Sequence, residues 1–162
     1  MMTATLVAGP LLLASLAVPV REKLVWNRTA SAPTGLYWIR QRPVERGDWV
    51  VVSPKAEAAS WAESRGFIGK DWPLIKQVGG LSGDTVCRFE ETILVNGVAA
   101  AEALQQDQQG RPLPVWSGCR GLQDDEVFLL NQHPRSLDGR YFGPLSLSDL
   151  EGVAILVIRW GH

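Results

Sequence analysis

The chain has 162 residues, with 16 Lys and Arg against 17 Asp and Glu, for a formal net charge of −1. With 46% hydrophobic and 20% charged residues it has the make-up of one folded domain, which excludes a largely disordered chain. The near-neutral balance argues against nucleic-acid binding; two cysteines cannot build a four-ligand zinc site by themselves, and the two histidines are far from each other.

The first 20 residues carry no charged side chain. As a helix they would reach roughly 30 Å, about one bilayer core. They read as an export signal or a signal anchor, leaving residues 21–162 as the working domain. Ser15-Leu16-Ala17 has the small-x-small form of a cleavage site. Pro10 and Pro19 would kink a permanent span without forbidding it. Arg21 and Lys23 follow the apolar run, and positive-inside counting would keep that flank in the cytoplasm, which opposes export of the domain.

From Gly35 the pattern is one of short strands. Gly35–Ile39 and Asp48–Val52 are aromatic or β-branched runs separated by a polar turn. Ala56–Arg65 is the one clear helix, Ala- and Glu-rich and stopped by Gly66. Pro73–Val78 is a strand and Gly79–Asp84 a glycine-rich turn. Thr85–Phe89 and Thr92–Val95 form a hairpin, followed by the turn signal Asn96-Gly97. Residues 99–118 form a polar excursion with little core. Glu126–Leu130 and Gly152–Trp160 close the chain, the second so continuously apolar that it predicts a buried strand. The fold class is therefore mainly β, sandwich- or barrel-like, with one short helix. Cys87 and Cys119 are 32 residues apart, too far for a CxxC site. They form a disulfide if the domain is exported and two buried thiols if it is cytoplasmic.

His133 has Ser136 and Asp138 close in sequence, but neighbours that near seldom make a triad, and His162 is the last residue. The run Asp124-Asp125-Glu126 lacks the alternating spacing of a calcium loop. Serine and lysine remain. A serine hydroxyl is activated by a neutral lysine amine where burial lowers the lysine pKa. Ser31 precedes the turn Pro33-Thr34-Gly35, and Lys76 lies in the apolar run Pro73-Leu74-Ile75-Lys76-Gln77-Val78.

These residues resemble the motifs of the signal peptidase I superfamily, and most closely its TraF-type conjugal transfer proteases. Asn27–Tyr37 is similar to the serine box, with the serine two residues before proline and then Gly-x-Tyr. Pro73–Asp84 is similar to the lysine box, with Gln77 at a usually basic position and Ser82 at a usual proline. Ser136–Pro144 is similar to the third box, with Gly139 replacing a serine. The three boxes stand in the family's order and, with Asn96-Gly97 and Gly110–Pro114, carry the resemblance over most of residues 27–154.

The resemblance implies a nucleophile at Ser31, a general base at Lys76, and a lysine-orienting hydroxyl at Ser136. It implies an oxyanion hole from the Ser31 N–H and the Thr29 hydroxyl, and structural support from Asp138 and Arg140. It further implies a membrane-associated serine endopeptidase facing the periplasm, exported or anchored at the inner membrane. Its substrate would be an exported precursor, for the TraF type a pilin subunit of a conjugative apparatus, cleaved and in some relatives cyclised. Neither metal nor organic cofactor is called for. The alternatives are a general type I signal peptidase and a non-catalytic pilus-assembly scaffold.

Overall fold

The computed structural model describes residues 24–160. The apolar segment, Arg21, Lys23 and His162 lie outside the described residues. The described residues form eleven strands: β1 Leu24–Asn27, β2 Gly35–Arg40, β3 Trp49–Val52, β4 Leu74–Gly80, β5 Thr85–Phe89, β6 Thr92–Val95, β7 Val98–Glu102, β8 Gly118–Gly121, β9 Glu126–Leu129, β10 Leu145–Ser146 and β11 Leu150–Arg159. Helix α1 spans Glu57–Ser64 and the single turn α2 spans Gly139–Phe142. Among the described helices none is long and apolar enough to cross a membrane.

Seven strands form an antiparallel sheet in the order β1-β2-β11-β3-β4-β9-β10, and the order β7-β6-β5-β8 makes a second sheet of four. The valines of β3 alternate between two cores, one on each face of the large sheet. Val50 and Val52 pack with Leu74, Val78, Val127 and Ala59 of α1, while Val51 packs with Tyr37, Ile39, Ile75 and Ala32. Burial on both faces is why this strand reads as an unbroken β-branched run. Helix α1 buries its small side, Ala58, Ala59 and Ala62, and the chain leaves it through Gly66 at φ 73°. A third cluster of Val86, Ile93, Leu122 and Phe128 joins the two sheets.

Three expectations are corrected. β11 is buried only around Val153 and Ala154; its distal residues Ile155, Val157 and Ile158 are 40%, 58% and 54% exposed. Its continuous apolar pattern therefore marks an uncovered face, not a second buried one. The stretch expected to be a polar excursion opens with β7 and leads into β8, both exposed strands paired to the hairpin of β5 and β6. Such strands lack the alternation that signals a half-buried strand. β1 was also not expected; it pairs antiparallel with β2, Asn27 facing Gly35.

Cys87 and Cys119 sit opposite each other in the β5–β8 ladder and form a disulfide. The crosslink closes a loop across 32 residues of sequence. Its reduction is expected to cost about 3 kcal/mol, mainly through a freer unfolded chain. Urea unfolding with and without reductant measures this. An unchanged midpoint would mean that the ladder alone holds β8.

Candidate active site

Asn27, at the end of β1, organises the turn that carries Ser31. Its Nδ2 donates to the carbonyls of Thr29, Ala32 and Pro33, each at 3.0 Å, and its Oδ1 accepts from the Thr29 N–H at 3.0 Å. Ala32 is buried in the core beneath the turn, and the Tyr37 hydroxyl donates to the Pro33 carbonyl at 2.6 Å. Gly35 is required by close approach: a Cβ there would run into the Ile158 carbonyl oxygen of β11. Held from both ends, the turn leaves Ser31 half-buried at a cleft of about 1060 Å³.

Lys76 enters the same cleft from β4. It shares a strand face with Leu74 and Val78 and is 4% exposed, against the ordinary habit of a strand lysine. Its Nζ donates to the Ser136 hydroxyl at 3.1 Å. Burial pulls the amine down from 10.5 to about 8; the Asp138 carboxylate opposes this and Arg140 assists it. A buried lysine of this kind is neutral in a useful fraction near neutral pH.

Ser136 precedes α2, whose N-terminus is capped by Asp138 accepting from the Arg140 N–H at 3.1 Å. Asp138 and Arg140 are 2% and 1% exposed, with the Arg140 Nε 3.2 Å from Asp138 Oδ1. That Nε–H finds no hydrogen-bond acceptor among the described residues, so this contact is one of charge. The guanidinium also donates to the carbonyls of Pro134 and Asn131. Burial raises the Asp138 carboxyl, while Arg140 and Lys76 pull it down. Asp138→Asn would leave the buried guanidinium without its counter-charge. The expected cost is about 3–5 kcal/mol in thermal or urea unfolding; a loss below 1 kcal/mol would mean that the carbonyls alone hold Arg140. Gly139 departs from the resembled motif because a Cβ would meet the Phe128 ring at 2.6 Å and the Leu129 carbonyl oxygen at 2.7 Å.

The structure thus gathers Ser31, Lys76 and Ser136 at one cleft, with Asp138 and Arg140 behind them. No hydrogen bond joins Ser31 to Lys76 among the described residues; the Ser31 hydroxyl is 3.4 Å from that of Thr29. Thr29 Oγ1 donates to Asn27 Oδ1 at 2.8 Å, so its one proton is engaged. The Ser31 N–H meets no acceptor among the described residues. His133 lines the cleft but belongs to no triad: Ser136 serves Lys76, Asp138 serves Arg140, and the His133 Nδ1 accepts from the Arg135 N–H at 3.2 Å. The acidic run disperses as well, Asp124 accepting from Ser82 and Glu126 pairing with Arg120.

The profile of the family described as "Signal peptidase, peptidase S26" matches residues 1–160. The chain belongs to the signal peptidase S26 family. Two Escherichia coli proteins named plasmid transfer protein TraF resemble this S26 peptidase. One is 35% identical over 161 residues, covering 93% of this chain and 90% of the relative; the other is 34% identical over 145 residues, covering 83% and 82%. The conjugal transfer protein TraF of Agrobacterium fabrum is 34% identical over 139 residues, covering 79% and 78%. A crystal structure of a signal peptidase I from Enterococcus faecalis is similar at a TM-score of 0.39 and 21% identity, over 69% of this chain and 97% of that one.

Asn27 and Asn131 are the site residues that sequence reasoning missed. Asn27 stands in the quoted serine motif, yet its spacing gives no sign that one amide ties four backbone groups. Asn131 lies outside every motif.

Proposed function

We propose that this peptidase is a serine endopeptidase in which Ser31 attacks and Lys76 acts as base. The observation that carries the reading is Lys76: buried, held by Ser136, and lowered to about 8 within the cleft that Ser31 borders. A lysine on a strand has no structural reason to occupy that place, and its desolvation is a standing cost to folding.

The chemistry follows in two halves. The Ser31 hydroxyl turns from Thr29 towards Lys76, which takes its proton as Oγ bonds to the scissile carbonyl carbon. The free Ser31 N–H suits the oxyanion; Thr29 joins it only by releasing Asn27. Collapse expels the amine, which takes the proton back from the Lys76 ammonium and leaves an acyl-enzyme on Ser31. Water then attacks the ester with Lys76 as base, or a second amine does so and a peptide bond forms instead.

The backbone supports an extended substrate. β1 pairs with β2 along one edge, and β9 pairs with β4 only from Val78 onward, leaving Leu74 to Lys76 unladdered on that side. Both edges border the cleft, the β4 edge with its Ile75 carbonyl already bonded to Asn131, and Trp26, Phe67, Ile68 and Trp72 stand in the cleft walls. A strand of substrate laid there would be bound through its backbone, with apolar side chains selected by the walls.

The relatives' names supply the setting. We infer that the substrate is an exported precursor of a conjugation system, a pilin subunit, met by an enzyme exported or anchored at the membrane through residues 1–20. The test is intact-mass measurement of a candidate pilin precursor co-expressed with this chain, with Ser31→Ala or with Lys76→Ala. Shortening confined to the unaltered pair is expected, and the loss of one further water would mark joined ends. Identical processing in all three would sink the dyad.

A further inference from the structure

We propose that Asn131 is a positioning residue that fixes the approach of Ser31 to Lys76, an inference that rests on the dyad proposed above. Asn131 follows β9 and is 1% exposed. Its Nδ2 donates to the Ser31 carbonyl at 2.7 Å and to the Ile75 carbonyl at 3.4 Å, while its Oδ1 accepts from the Gln77 N–H at 2.8 Å. Its own N–H donates to Asp138 Oδ2 at 3.0 Å, and its carbonyl accepts from the Arg140 guanidinium.

The side chain does the work of a missing strand. The β9–β4 register starts at Val78, and beyond it Leu130 N–H reaches only the Gln77 carbonyl, so Gln77 N–H and Ile75 C=O take another partner. The Asn131 amide offers an acceptor to Gln77 N–H and a donor to Ile75 C=O, the pair of bonds a neighbouring peptide group would make. Its second proton crosses to the serine turn. The amide orientation is forced, since a flip would set NH₂ against an N–H and oxygen against two carbonyls. One buried group thereby links the serine turn, the lysine strand and the Asp138–Arg140 pair. Ser31 and Lys76 otherwise meet only through elements distant in sequence.

Asn131→Ala removes the brace without adding charge. Its expected effect on precursor cleavage is a fall in kcat of roughly 10- to 100-fold, the scale of a small misalignment, with KM changed less than about threefold. Asn131→Asp sets a carboxylate against two carbonyl oxygens and a second negative charge beside Lys76. Lys76 already faces Asp138 and Arg140, and His133 and Arg135 line its cleft. That variant is expected to lose more activity and to move the lysine midpoint to higher pH. The midpoint is read on the Lys76 Cε resonance of labelled protein, assigned with Lys76→Ala. This readout needs no substrate, so it stands even if the unaltered protein processes no precursor, a result that would strike the dyad instead. A wild-type kcat in Asn131→Ala overturns the proposal. So does a loss fully recovered at low temperature, which marks a purely structural role. If Asn131→Ala does not fold, Asn131→Asp decides, and an unmoved Lys76 midpoint overturns the proposal.

Discussion

Lys76→Met is expected to abolish processing and stabilise the protein at the same time. As the proposed base for Ser31, the amine should be indispensable, so its removal should lower kcat/KM by roughly 10³-fold or more. Methionine keeps the length of the side chain and suits the apolar neighbourhood of Leu74 and Val78. The stability gain follows from linkage. Burial holds Lys76 at about 8 against 10.5 for a free lysine, so the folded state pays for the charge whenever the unfolded chain is protonated. That difference corresponds to roughly 3 kcal/mol. Between pH 8 and 10.5 the unfolded chain binds more protons than the folded one, so stability of the unaltered protein rises with pH across that window. Below it, the penalty is constant and in full force. The advantage of Lys76→Met should therefore be largest at and below pH 8 and shrink towards pH 10.5. Thermal unfolding of both proteins across that range measures it; parallel curves would show that the amine is not desolvated.

Cleavage by the unaltered enzyme is expected to climb with pH and level off above about 8. Only the neutral amine accepts a proton, so kcat/KM should gain about tenfold per pH unit on the acid side. From pH 6 to 8 that amounts to roughly 50-fold, since half of the amine is neutral at the midpoint. The Asp138 carboxylate raises the Lys76 pKa, so Asp138→Asn should slide the midpoint to lower pH even as it destabilises the fold. Kinetics at subsaturating precursor from pH 6 to 10 provide the comparison. A rate independent of pH over that span would exclude Lys76 as the base. A midpoint far below 8 would likewise count against Lys76 as the base.

Much of this architecture could be read along the chain. The β3 valines, the Ala-rich helix and the β5–β6 hairpin announce themselves by period and composition, because each buries a regular face. Residues without such a face carry no such signal. β7 and β8 are exposed strands stabilised by their partners and a disulfide, and neither bond is written in local hydrophobicity. β11 misled in the opposite direction, since an apolar run shows only that side chains avoid water, not that anything covers them.

Ser31, Lys76 and Ser136 were legible as residue types in telling contexts: a serine before a proline turn, a lysine among aliphatics, a serine in a motif. What the sequence by itself determined was the chemistry available, because side-chain identity and local conformation need no long-range contact. What only the tertiary structure decided was the state of that chemistry. The Lys76 amine is lowered to about 8 by the burial that packing imposes, and Ser136 meets it across 60 residues of chain. Asn131 gains its bonds to Ser31, Ile75 and Gln77 only where β9 stops pairing with β4. Desolvation and cross-strand hydrogen bonds are properties of the packed arrangement, and no stretch of chain carries them alone.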